Sequence, residues 1–318
     1  MCIRDRAHVL SEVATVTIFE KSRHTGGRLA TLNVDTYSFD FGTQFFKCKD
    51  KRFYQFLTTL IQQGVIQPWH ARFIEISQEQ RSEVRQWDDS YPHYVGVPHM
   101  NQISQILARD LNILHNVKIT EIIQQDTWTL IDDTGIHYDA FDWVISTCPA
   151  AQTAQILPHS FSHYNALQSV NMQACFSLML GFKQQQDLGF DAALVKGKDI
   201  SWISVNSAKP NRPDSLCLLV HATNKWADAN FEQEQALTKK HLIAETQSIL
   251  DIDLNKADFT ALHAWRYANM KKRPQLNLVD HHHQLAACGD WCHQGRVESA
   301  FISAYATAKA IIEGINYA

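Results

Sequence analysis

From Ala14 to Glu20 the chain reads Ala-Thr-Val-Thr-Ile-Phe-Glu, an apolar, β-branched run that ends in an acid, and Gly26-Gly27-Arg28 follows shortly after. A run this short and this apolar predicts a strand buried on both faces, the kind found in parallel sheets. In βαβ units that hold a dinucleotide, an acid at the end of the second strand accepts hydrogen bonds from the adenosine ribose hydroxyls. Adjacent glycines let the backbone take positive φ and come close to a ligand. Arg28 adds a forked, permanent charge suited to a pyrophosphate. Each feature alone has an ordinary explanation, a solvated strand end or a plain turn. In the order Glu20-Lys21, Gly26-Gly27-Arg28, Ala30-Thr31 they point together to a cofactor site.

The rest of the pattern gives that strand a setting. Helical spacing of Phe53, Phe56, Leu57, Leu60 and Ile61 predicts a helix over 50–63, followed by strands at 71–76 and 83–87 and a helix near 99–110. Residues 117–138 alternate around the turn Asp133-Thr134-Gly135 and read as a β-meander, and Asp142–Thr147 reads as another buried strand. Strands at 172–182, 200–205 and 215–222, a helix over 231–250 and a strand through His263–Ala268 follow. The chain closes with strand Leu285–Cys288, the turn Gly289-Asp290-Trp291 and a helix from Val297 to Gly314. Parallel-type strands at both ends with antiparallel material between predict an α/β fold: a Rossmann-like nucleotide-binding domain interrupted by a mixed α+β substrate domain. The expected boundaries are 1–50, 97–158 and 270–318 for the first, and 51–96 and 159–269 for the second.

Composition removes whole classes of function. The 318 residues carry 29 Lys+Arg and 33 Asp+Glu, a net charge of −4, so the basic stripe of a nucleic-acid binder is not expected. No window reaches the ~18 consecutive apolar residues of a membrane helix. Seven cysteines without a paired framework suit reduced thiols, and a cytoplasmic setting is expected. No metal site is expected either: Cys288 and Cys292 lack a second close pair, and His281-His282-His283 reads as a solvated loop.

Four separated blocks carry a resemblance. Glu20-Lys21 with Gly26-Gly27-Arg28 resembles the second flavin fingerprint of the amine-oxidase-type FAD superfamily. Phe39-Asp40-Phe41-Gly42-Thr43-Gln44-Phe45-Phe46 resembles the F-D-x-G-x-Q-Y/F-F stretch of its renalase-like branch. His263-Ala264-Trp265-Arg266-Tyr267-Ala268 is similar to that branch's H-x-W-R-Y-A strand. Gly289-Asp290-Trp291 with Gly295-Arg296-Val297-Glu298-Ser299-Ala300 is similar to its G-D-W…G-R-V-E-x-A segment. The resemblance implies non-covalent FAD held by Glu20, Lys21, Gly26, Gly27, Arg28, Gly42, Thr43, Gln44, Gly289, Asp290, Val297 and Glu298, with Ile119 meeting the adenine through its backbone. A helix opening at Val297-Glu298 would present its positive end to charge developing on a reduced flavin. His263, Trp265 and Tyr267 alternate, share one strand face, and are the expected catalytic wall beside the flavin ring, although three large residues on one face are also ordinary core.

By the same resemblance the substrate is a dihydronicotinamide dinucleotide, a non-standard NAD(P)H isomer, whose hydride passes to flavin N5 before O2 re-oxidises the flavin to give H2O2. Two alternatives stand beside it: a flavin amine oxidase acting on a small amine, and a fragment or scaffold without activity. Amine oxidases of this kind often hold flavin through a cysteine, and Cys288 and Cys292 flank the Gly289-Asp290-Trp291 turn. The glycine fingerprint of such domains lies about 20 residues before the ribose-binding acid, which would put it at or before residue 1. Ala7–Glu12 reads as a helix end and residues 1–6 as a non-native leader. The expectation is therefore a chain that lacks the first strand and glycine loop and holds FAD poorly as written.

Overall fold

Alternation organises the larger part of the chain, and the computed structural model shows what it organises, describing residues 10–77, 80–184 and 186–316. The readings made on residues 1–9 lie outside the described residues. Two compact units result. One takes the described residues up to Gly26, then Ser104–Met172 and the chain from Asn269; the other takes Gly27–Ile103 and Gln173–Ala268.

The second unit is built on an eight-stranded sheet. Its strands run in the order Phe259–Asn269, Gln173–Phe182, Leu216–Ala222, Ile200–Val205, Ala192–Lys196, Arg72–Ser77 and Gln80–Arg81, with Arg85–Gln86 also on Arg72–Ser77. Period-2 alternation gives this sheet two different faces. One face sends Ile74, Ile76, Leu178, Leu180, Ile203, Leu218 and Val220 into a core with Leu242, Ile249 and Leu250 of helix Gln235–Leu250. The opposite face is mixed. Trp202 and Ser177 both stand in register with His221, and Ala192 stands between Phe73 and Ser204. Onto this second face packs the hairpin Thr31–Val34/Tyr37–Asp40, whose Tyr37 and Phe39 meet Met179, Cys217 and Leu219. Helix Lys51–Gln62 starts where Asp50 accepts the amides of Arg52 and Phe53, and it buries Phe53, Leu57 and Leu60 on one stripe.

The first unit contains the parallel material. Thr17–Glu20 pairs in parallel with Asn112–His115, and Val144–Ser146 pairs in parallel with Leu285–Ala287. Ile119–Gln124, Trp128–Asp132 and His137–Phe141 form the expected meander. Helix Val297–Asn316 buries Ala308 and Ile311 with Ala286.

Several boundaries move. Residues 27–50 and 97–103 group with the sheet, because the hairpin packs on its second face; residues 159–172 group with the meander, whose core takes Phe161, Leu167 and Val170. The helix read over 231–250 starts later, as Gln235–Leu250, and an unread helix, Asn224–Asn230, whose Thr223 cap accepts from Trp226 N, precedes it. Asn112–His115 and Ala192–Lys196 escaped sequence reading; each is short and pairs with strands remote in sequence.

Candidate functional site

In the first unit the acid stands where it was expected. Glu20 ends its strand half-buried, and its Oε1 accepts the Ser22 amide at 3.0 Å. Lys21 donates from Nζ to Gln152 Oε1 at 3.4 Å. Ile119 opens the meander, half-buried, with Ile122 three residues on in the core. Gly289 follows strand Leu285–Ala287 and donates its amide to Ser303 Oγ at 3.2 Å, so that amide is already used. A Cβ at Gly289 would overlap the Trp291 indole, whose Nε1 donates to the Cys148 carbonyl at 2.9 Å. This stitches the Gly289-Asp290 turn to the end of strand Val144–Ser146, with Asp290 buried at its centre. Helix Val297–Asn316 then begins with Val297 and Glu298, both half-buried. The first amides of a helix have no acceptor within it, which makes such an end a place for anionic charge.

Gly26 and Gly27 both take positive φ, 139° and 52°. The turn they make carries the chain to Arg28, where the second unit's set of motif residues begins. There the Arg28 carbonyl accepts the Thr43 amide at 2.8 Å, and a Cβ on Gly42 would run into that same carbonyl. The arginine turn and the Phe41–Phe46 loop are thus held backbone to backbone. The Arg28 guanidinium donates to the Ala268 carbonyl at 3.1 Å, at the end of the strand that carries the catalytic candidates.

That strand presents His263 and Trp265 to the loop together, as alternation requires. Phe41 stacks on Trp265 at 5.3 Å with 18° between planes, and meets His263 edge-on at 4.9 Å. The Phe41 carbonyl accepts from Trp265 Nε1 at 3.0 Å and from Ser177 Oγ at 2.7 Å. Tyr267 is half-buried further along the strand. Burial pushes the His263 imidazole below its ordinary value, favouring the neutral ring.

Gln44 was expected at the cofactor; its side chain is committed elsewhere. Only 7% exposed, it donates to the Asp40 and Gly42 carbonyls and accepts from Ser204 Oγ and Lys209 Nζ. It belongs to a buried network around Asp40, whose side chain is wholly buried. Asp40 accepts from Lys209 Nζ at 3.2 Å, Arg212 Nη2 at 2.7 Å, Thr31 Oγ1 at 2.8 Å and the Met100 amide at 3.0 Å. Burial alone would raise this carboxyl; Lys209 and Arg212 outweigh it and hold Asp40 well below the usual carboxylate range. Burial likewise brings Lys209 down to about 8.

Sequence reading missed Lys209, Arg212 and Asn206, since a polar loop offers no spacing signal for a partner near residue 40. It also missed His221, which stands in register with Trp202 and Ser177 on the sheet's second face. Burial pushes His221 down to about 4, and its Nε2 is buried without a hydrogen-bond partner.

Comparison with known proteins bears on both units. A family model described as flavin containing amine oxidoreductase matches residues 92–312, and one described as an NAD(P)-binding Rossmann-like domain matches residues 7–60. Among solved structures, a candidate protoporphyrinogen oxidase from Exiguobacterium superposes with a TM-score of 0.73 at 12% identity, covering 99% of this chain and 95% of its own. A cofactor-binding redesign of putrescine oxidase gives 0.74 at 12% identity, with 98% and 96% covered. A Pyrococcus furiosus protein gives 0.67 at 12% identity, with 98% and 94% covered. Likeness at this identity speaks for the fold. Among the described residues no helix is long and apolar enough to cross a membrane.

Proposed function

Since the chain belongs to the flavin containing amine oxidoreductase family, it is an FAD-dependent oxidoreductase, and we propose that it oxidises a dihydronicotinamide dinucleotide, a non-standard NAD(P)H isomer. The residues present fit the cofactor by their chemistry. Glu20 offers an acceptor at a strand end for ribose hydroxyls, with Lys21 beside it. Gly26 and Gly27 take the positive φ of a close backbone approach, and Gly27 has no atom near where a Cβ would stand. Within the first unit Ile119 would meet the adenine, and Gly289, Asp290, Val297 and Glu298 would serve the cofactor's other end; Arg28, Gly42 and Thr43 stay as candidates by motif alone. FAD, when bound, supplies the hydride acceptor, and O2 returns it to the oxidised form with release of H2O2.

The observation that carries the substrate reading is the wall formed by Phe41, His263 and Trp265. It offers flat aromatic surface and a neutral imidazole. The nearest motif carboxylate, Asp40, is buried and already paired with Lys209 and Arg212. A planar, uncharged dihydropyridine ring suits such a wall, and hydride transfer needs orientation more than a protein base. Aromatic faces can also hold an ammonium group, so the amine alternative is decided by the assay below. In this reading His263, Trp265 and Tyr267 orient the ring and exclude water from it. Cysteines without a disulfide framework support a cytoplasmic setting for this chemistry.

Steady-state assay of H2O2 release tests the proposal, using the isomeric dihydronicotinamide dinucleotides against a panel of small primary amines. Turnover of an isomer with none of the amines is expected; turnover of amines alone overturns it. Acid precipitation of the FAD-loaded protein is expected to release all the flavin to the supernatant. Flavin that remains in the pellet would place a covalent bond at a residue such as Cys288 or Cys292.

A further inference from the structure

The second face of the sheet carries another aromatic group, apart from the Phe41 wall. Trp87 and His93 lie face to face, 3.6 Å between centroids and 5° between planes. Phe45 stands edge-on to both, at 5.1 and 5.0 Å, and reaches Trp202 at 5.6 Å. Phe73 stacks on Trp87 from the sheet at 5.2 Å. The backbone fixes the arrangement, since Trp87 donates its amide to Ala71 and Trp69 donates to His93.

Two features separate this cluster from ordinary packing. His93 is only 6% exposed, yet its Nδ1 has no hydrogen-bond partner, and Trp202 Nε1 is buried without a partner as well. Each such atom costs on the order of 1–3 kcal/mol in a folded protein, so a pair in one cluster asks for a ligand. The rings are also accessible: Phe45, Trp87 and Trp202 are half-buried and Tyr91 is 45% exposed. Positive charge stands at the edge, with Lys47 Nζ 4.5 Å from the Tyr91 ring centre and Lys49 Nζ at 6.0 Å.

We propose that this cluster binds the adenine nucleotide half of the substrate, its base against the Phe45, Trp87 and Trp202 rings and its phosphate toward Lys47. An indole N–H can only donate. Burial favours the neutral His93 imidazole, which can present its unpartnered Nδ1 as an acceptor. One donor and one acceptor match the ring nitrogen and the exocyclic amine of adenine. The assignment rests on the dinucleotide reading above and leaves the reacting ring to the Phe41 wall.

Calorimetric titration of the full chain with AMP, adenosine and nicotinamide mononucleotide tests it without depending on turnover. Saturable AMP binding is expected, with nicotinamide mononucleotide far weaker. Trp202→Phe keeps a ring and removes a donor that has no partner in the protein. It should weaken AMP about tenfold while Tm stays unchanged or rises. Lys47→Gln should weaken AMP but leave adenosine as it was. Absence of saturable AMP binding by the unmodified chain, or AMP binding unaltered in Trp202→Phe, overturns the site. A lowered Tm in Trp202→Phe also counts against it, because a packing role would explain that loss. Comparing dinucleotide with mononucleotide substrates separates the two proposals. Equal KM for both would sink the adenine site while the oxidase reading stands. AMP binding without oxidation of either would leave the site standing and sink the oxidase reading.

Discussion

Asp40 shows why a polar residue inside a functional motif need not touch ligand. It and Gln44 look alike in sequence, two hydrogen-bonding side chains flanking a glycine, and both turn inward to hold the Phe41–Phe46 loop on the sheet. Their work is positioning: the loop's carbonyl at Phe41 receives Trp265 and Ser177 only while its two ends are fixed. A buried carboxylate facing two buried cations cannot be removed from one side alone, because the remaining charges keep their desolvation cost and lose their partner. Asp40→Asn should therefore cost about 3–5 kcal/mol, read as a lowered urea midpoint. A loss below about 1 kcal/mol would mean that the pair adds nothing beyond its hydrogen bonds.

At the scale of elements, two motif glycines separate by mechanism. Gly27 needs its residue type for φ, since it sits at 52° with no atom near where a Cβ would stand. Gly42 needs it for space, since a Cβ would meet the Arg28 backbone. Gly27→Ala should cost about 1–2 kcal/mol and leave the loop intact. Gly42→Ala must push two backbone segments apart, so it should cost more and also lower the flavin-to-protein ratio measured by absorbance after FAD loading. Equal effects of the two substitutions would refute this distinction. Sequence alone marks both positions as glycine and cannot tell these causes apart. What it reads well is local periodicity: the meander, the strand with His263 and Trp265 on one face, and the stripe of Phe53, Leu57 and Leu60. What it cannot read is long-range pairing. Lys209 and Arg212 meet Asp40 across most of the chain's length, and the cluster of Phe45, Phe73, Trp87, His93 and Trp202 assembles from four segments with no common spacing.

Over the whole molecule, the same burial that shapes the second face sets how stability responds to acid. Burial pushes both His93 and His221 down to about 4, while an unfolded histidine takes its proton near 6.5. Between those values the unfolded chain binds more protons than the folded one, so stability falls as pH falls through that window. For His93, 6% exposed, the shift corresponds to roughly 3 kcal/mol lost between pH 6.5 and 4. The depressed carboxyls of Asp40 and Asp280 act at lower pH. Their contribution is complete above the unfolded value of about 3.9 and declines only below it. The acid limb above pH 4 therefore belongs to the buried histidines of the sheet unit, His93 and His221 together with His99 and His263, which burial also lowers. Urea unfolding at pH 7, 5.5 and 4.2 should show a steep decline, and His93→Phe should flatten it, because a phenyl ring cannot take up the proton. AMP, through its contact with the neutral imidazole, should oppose the same decline in the unmodified protein and have no such effect in His93→Phe. An acid limb with the same slope in both proteins would remove His93 from the account and leave the window to His221, His99 and His263.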